Sequence, residues 1–249
     1  MKPYVTLKIL EKVGYIEFFN HPHNALTPSL LNDLTSLINS AAVDNKIHII
    51  VLKSGGDRAF CAGASFNHMV EISDEVEGKS FFMGFANVIN ALRKCPKIII
   101  GSIQGKAVGG GVGLASAVDI CFATEFADIK LSELSVGIGP FVIEPAIKRK
   151  IGVSAMSQLA LKAQTFFSAK WAMDKGLYAN VFESNNELIR EVQSLASELS
   201  TYNIDSLAAF KRIQWQGTDD WDKLLESRAQ LSGKMSLSPK VKSYLKKFI

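Results

Sequence analysis

Three stretches of the 249-residue sequence hold residue types suited to stabilising and moving charge. The first is GKAVGGGVGLASAVD at 105–119, with Gly109, Gly110 and Gly111 ahead of a run of small residues. Glycine leaves backbone N–H groups open to a ligand and admits φ values closed to other residues. At a helix start those N–H groups lack internal partners and carry the positive end of the dipole. An oxyanion or a phosphate fits such a turn, and a tight strand-to-helix corner would need the same glycines. The spacing is not GxGxxG and no Gly-Lys-Ser/Thr follows, so it is not a nucleotide fingerprint. The second stretch is FCAGAS at 60–65, a small-residue loop after an apolar run. Two such loops can give one amide each to the same oxygen, the arrangement that stabilises an enolate or a tetrahedral oxyanion. The third is KLSELSVGIGPF at 130–141, where Glu133 stands among apolar residues. Burial there would raise its pKa and suit it to proton transfer. A salt-bridged loop glutamate would read the same way.

Other reactive side chains form no pattern of their own. His21, His23, His48 and His68 lack metal-ligand spacing, and no metal site is expected. Cys61, Cys95 and Cys121 are widely spaced, without CxxC, which excludes a disulfide framework and favours a reducing compartment. Glu144 has Lys148 one helical turn on as a plain ion-pair partner. Trp171, Trp215 and Trp221 read as core or interface residues. The tail lysines, 240, 242, 246 and 247, read as a solvated face.

These loops need a scaffold, and the apolar spacing supplies one. Residues 4–10 and 14–19 read as two short strands. Thr27 is placed to cap a helix that Pro28 begins, with one apolar face through Leu30, Leu31, Leu34, Leu37, Ile38 and Ala41. IHIIVL at 47–52 and the run 98–103 read as buried strands. Between them Phe81, Phe82, Phe85, Val88, Ile89 and Leu92 mark a second helix. Short strands are expected at 120–124 and 128–131. This alternation predicts an α/β core with parallel pairing. From Glu187 only helices are expected, at about 187–201, 205–215 and 219–232, before the basic tail. The predicted organisation is a core over 1–186 and a helical module over 187–249, with no clean internal repeat. Lys+Arg 28 against Asp+Glu 24 leaves a net charge of +4, too mild to argue for nucleic acid. The N-terminus lacks the apolar core of a signal peptide and no stretch has transmembrane quality, so a cytoplasmic protein is expected.

Taken in order, these motifs resemble the crotonase family, the enoyl-CoA hydratase/isomerase superfamily. The matching residues are NAL at 24–26, AFCAGAS at 59–65, GKAVGGGVGL at 105–114, Asp119, the Glu133 segment, and Ala169, Ala172, Gly176 and Leu177. The resemblance implies a spiral of ββα units followed by a C-terminal helical trimerisation module, with two trimers commonly stacking as a hexamer. It implies an acyl-CoA substrate and no cofactor. The thioester oxygen would be held by the N–H groups of Ala64 and Gly110, with Glu133 as the catalytic carboxylate. Asn24, Ala25 and Leu26 would pass the adenine and pantetheine. Ala62, Gly63, Ser65, Phe66, Gly109, Gly113 and Phe141 would complete the substrate site. Lys246 and Lys247 would approach the CoA phosphates of a neighbouring subunit.

Two departures stand out. The usual Gly-Ala-Asp is Gly63-Ala64-Ser65 here, and the position of a second catalytic Glu is Gly113. The pattern looks most like hydratases of branched, carboxylated enoyl-CoAs, such as 3-methylglutaconyl-CoA hydratase of leucine breakdown. The space freed at Gly113 is expected to admit water or a branched acyl group. An isomerase with Glu133 as proton shuttle is the alternative. A non-catalytic crotonase-fold binding protein agrees less well with two retained glycine-rich loops and Glu133.

Overall fold

A computed structural model describes residues 2–247. Its strands are β1 (Tyr4–Leu10), β2 (Val13–Phe19), β3 (Ile49–Ser54), β4 (Ala59–Cys61), β5 (Ile98–Ile103), β6 (Lys106–Val108), β7 (Ile120–Thr124), β8 (Ile129–Lys130) and β9 (Asn180–Phe182). One sheet runs in the order β1-β2-β3-β5-β7-β9 and is antiparallel only at the β1–β2 hairpin. A small parallel sheet holds β4, β6 and β8. The helices are α1 (Pro28–Val43), α2 (Phe66–Glu71), α3 (Glu75–Lys94), α4 (Gly110–Ala117), α5 (Glu133–Val136), α6 (Glu144–Leu161), α7 (Ala169–Asp174), α8 (Asn185–Ser200), α9 (Ile204–Gln214), α10 (Trp221–Ser236) and α11 (Pro239–Leu245). Each of β3, β5 and β7 is followed by a short strand in the small sheet and then by helix. This is the α/β spiral of ββα units that the resemblance implied.

The unbroken apolar runs of β3 and β5 follow from burial on both faces. Ile50, Leu52, Ile99 and Ile103 join Leu34 and Ile38 of α1 and Phe85 and Ile89 of α3. The alternate residues Ile49, Val51, Ile98 and Ile100 meet Leu188, Val192 and Ala196 of α8. Thr27 caps α1 by accepting from the N–H of Leu30, with Pro28 opening the helix. Helices α3 and α10 cross backbone to backbone: a Cβ built on Gly78 would lie 2.8 Å from Gly233 Cα. The Asp119 carboxylate accepts from the Ile99 N–H, the Trp215 indole and Lys211 Nζ at 2.8 Å. Lys211 is 2% exposed and also donates to the carbonyls of Leu92 and Lys97, so α9 is tied to the sheet.

Of the stretch 187–249, expected as a module following the core, the described part packs into that core. Helix α8 covers one sheet face, and Trp215, Trp221, Leu225, Ala229, Val241 and Leu245 belong to the main core. The basic tail contains helix α11, which buries Val241 and Leu245 one turn apart. Among the described residues no helix is long and apolar enough to cross a membrane.

Candidate active site

Parallel pairing of β4 with β6 sets two turns side by side, Ala62–Ser65 and Gly109–Gly110. A Cβ built on Gly63 would stand 3.0 Å from the Val108 carbonyl and 3.4 Å from Gly110 N. Gly63 and Gly109 have φ of +87° and +53°, the region where a side chain strains the backbone. The N–H of Leu26 donates to the Gly63 carbonyl and the N–H of Ser65 to the Leu26 carbonyl, passing over Ala64. Among the described residues the N–H groups of Ala64 and Gly110 have no partner. Gly110 opens α4, so its N–H carries the helix's positive end. Two unpaired amides on neighbouring turns are the arrangement that an oxyanion hole requires.

Pairing of β6 with β8 brings Glu133 to the same place. Glu133 opens the one-turn helix α5 rather than lying on a loop. A Cβ at Gly109 would lie 2.6 Å from its Oε1, so any side chain there would displace the carboxylate. The residue is half-buried, but its Oε2 is shielded from solvent and has no hydrogen-bond partner. Burial pushes the Glu133 carboxyl up to about 7, against a smaller opposing effect of a backbone hydrogen bond. A carboxyl balanced near neutrality can both take and return a proton.

These groups border an apolar cavity of about 60 Å³. Ala62, Gly63, Ala64, Phe66, Gly109, Gly110, Glu133 and Phe141, all expected at the site, line it together. Met69, Ile143, and Phe82 and Phe85 of α3 line it too, within the stretches 66–90 and 135–150 on which pocket shape was expected to depend, and so does Ser232 of α10, which the sequence reading missed. The phenylalanine spacing marked a helix face but not what that face meets. Nothing local marked Ser232. Among the described residues no Lys, Arg or His lines the cavity.

Other expected residues lie elsewhere. The Asn24 carboxamide is 3% exposed and fully engaged: it accepts from the Asn20 N–H and donates to the carbonyls of Gly55 and Ala59. It braces the loops. Leu26 is core, and the Ala25 carbonyl accepts from Asn20. Ser65 Oγ lies 3.0 Å from His68 Nδ1, outside the cavity. Lys246 and Lys247 are exposed beyond α11. A larger cleft of about 950 Å³, bordered by Tyr4, Glu17, Asn24, Lys53 and Ile189, contains neither the paired amides nor Glu133.

The expectation at Gly113 needs correcting. A Cβ there would meet Ile143 Cγ2 at 2.5 Å and Ile143 Cβ at 2.8 Å. The space freed by the absent carboxylate is filled by an aliphatic side chain from the segment before α6. Gly113 accordingly is not among the residues lining the cavity. Glu144 pairs with Lys148 at 2.8 Å, as its spacing suggested, and is not among the cavity's lining residues.

Compared with known proteins, residues 8–248 match the family described as Enoyl-CoA hydratase/isomerase. The chain is 30% identical over 196 residues to the short-chain-enoyl-CoA hydratase of Clostridium acetobutylicum, covering 77% of this chain and 74% of that one. It is 30% identical over 217 residues to the peroxisomal Delta(3,5)-Delta(2,4)-dienoyl-CoA isomerase of Arabidopsis thaliana, covering 79% and 76%. The crystal structure of enoyl-CoA hydratase from Bacillus halodurans shares the fold, with a TM-score of 0.90 over 98% of this chain and 100% of that one at 22% identity.

Proposed function

Because the chain belongs to the enoyl-CoA hydratase/isomerase family, we propose that it adds water across the 2,3 double bond of an enoyl-CoA thioester, with Glu133 moving the proton. The observation that carries this reading is one carboxylate with an unpaired oxygen beside two unpaired backbone amides. The amides of Ala64 and Gly110 hold the thioester oxygen and stabilise the enolate that forms on it. Ionised Glu133 takes a proton from water as the oxygen bonds to C3. It then returns that proton to C2 as the enolate collapses, so the net change is addition of one water. Acid and base are one residue at successive moments, and no cofactor enters the chemistry.

A second reading is migration of a 3,4 double bond to the 2,3 position, Glu133 taking a proton from C2 and returning it to C4. Ile143 favours it, because an aliphatic group beside Gly113 offers no polar contact to the attacking water that hydration requires.

The acyl group is taken as uncharged. A methylglutaconyl-type substrate ends in a carboxylate, which calls for a cation, and among the described residues none lines the cavity. Assembly as a trimer or dimer of trimers is part of the proposal, since α9 exposes Ile204, Phe210 and Ile213. In such an assembly Lys246 and Lys247 are free to meet CoA phosphates of a neighbouring site. A cytoplasmic location accords with three buried free thiols.

The test is incubation in heavy water with 2-hexenoyl-CoA, 3-hexenoyl-CoA and 3-methylglutaconyl-CoA. Hydration yields a 3-hydroxyacyl thioester from 2-hexenoyl-CoA with label at C2. Conversion of 3-hexenoyl-CoA to the 2-enoyl isomer without added water would establish the second reading. No product from any of the three would defeat both.

A further inference from the structure

The polar side chains lining the acyl cavity are Glu133 and its neighbour Ser132 at the reacting end, and Ser232 on α10. Ser232 is 1% exposed, and its hydroxyl is buried without a hydrogen-bond partner. Its neighbours on the same helix behave differently. The Ser236 hydroxyl donates to the Gly233 carbonyl at 2.7 Å and the Ser227 hydroxyl to the Leu224 carbonyl at 2.8 Å. Serines on α10 can therefore satisfy themselves along the helix, and Ser232 does not. A buried, unpaired hydroxyl is costly unless a ligand supplies its partner.

Its place along the cavity follows from α3. Phe85 lies against the oxyanion turn, since a Cβ on Gly110 would fall 2.2 Å from its ring. Gly78, two turns earlier, touches Gly233, the residue after Ser232. At 1.5 Å per residue these two points are roughly 10 Å apart along the helix. Along α3, the turn beside Ser232 is thus about two turns from the one beside the oxyanion amides, which sets Ser232 apart from the reacting end.

We infer that Ser232 is a specificity residue that hydrogen-bonds an oxygen on the distal part of the acyl chain, so that the preferred substrates are enoyl thioesters with a hydroxyl or keto group on the tail. This rests on the enoyl-CoA reading above. A plain hydrocarbon tail would leave the hydroxyl unpaired. A carboxylate tail would lack a cation. A neutral oxygen satisfies Ser232 with the remaining wall left apolar.

The experiment measures kcat/KM of the full chain on 2-hexenoyl-CoA, 6-hydroxy-2-hexenoyl-CoA and 5-oxo-2-hexenoyl-CoA. At least one oxygenated substrate should be preferred over the hydrocarbon by about tenfold, the scale of one added hydrogen bond. Ser232→Ala should bring that ratio to about one or below. Ser232→Cys, with a weak donor of similar size, should reduce it in the same direction if the alanine variant does not fold. Hydrocarbon turnover equal to or better than both oxygenated substrates in the unaltered protein overturns this inference and leaves the enoyl-CoA reading standing. A preference that persists unchanged in the folded variants also overturns it. Absence of turnover on all three thioesters overturns both.

Discussion

Glu133 is placed where burial opposes its charge, and its chemistry is therefore tied to pH. Hydration begins with the ionised carboxylate, so kcat/KM should fall with unit slope below about pH 7 and level off above it, following one ionisation. Two carboxylate-like ionisations in that profile would contradict a single-residue mechanism. Glu133→Gln should lower kcat by at least about 100-fold while acyl-CoA binding changes little. The same substitution has a stability signature. The folded-state pKa is raised from 4.5 to about 7, so folding binds protons between those values. The wild-type contribution is fully present below pH 4.5 and is lost as pH rises through about 7. Glutamine never ionises, so calorimetry should find Glu133→Gln gaining in Tm relative to wild type from pH 5 to pH 8. An advantage constant with pH would mean that the carboxyl titrates normally. Gly109→Ala combines strain at positive φ with contact on Glu133 Oε1, and should depress kcat without removing either catalytic group.

At the level of elements, the meeting of α4 with the segment entering α6 sets what chemistry the site can hold. Gly113→Ala forces a Cβ against Ile143 and should cost about 1–3 kcal/mol, the range for overpacking. Ile143→Ala alone should cost about 2–5 kcal/mol through lost burial and the cavity left behind. The double substitution should lose less than the sum of the two, as read from denaturant unfolding. Simple additivity would mean that the side chains do not share this space. The same contact marks a limit of sequence reading. Buried strands, the Thr27 cap and the helix faces were legible because burial and capping impose local periodicities. That Gly113 replaces a carboxylate was legible from resemblance, but Ile143 filling its place was not. The two residues are thirty positions apart, and no local pattern encodes which side chain meets a missing one. Strands β4 and β6 were hidden for a different reason: each is three residues long, too short for an alternation to show. Helix α11 was hidden under its lysines, although Val241 and Leu245 carry a one-turn spacing.

Over the whole molecule, α9 leaves an apolar surface open. On α9, Phe210 is 56% and Ile213 58% exposed, although the helix is anchored from beneath by Lys211. Light scattering at micromolar concentration should find a trimer or hexamer, and Phe210→Asp with Ile213→Asp should shift it toward monomer. A wild-type monomer would count against the proposed assembly. The crossing of α3 and α10 has its own bearing on how this protein can change. With Gly78 and Gly233 in backbone contact, no side chain separates the helices, and neither can move inward. A shift outward would open a gap that no neighbouring side chain fills. The cavity's length is thus fixed like a gauge block, and selection for longer acyl chains has to trim lining side chains such as Phe82 or Met69. Random mutagenesis for longer substrates should return such trimmed side chains far more often than changes at the crossing.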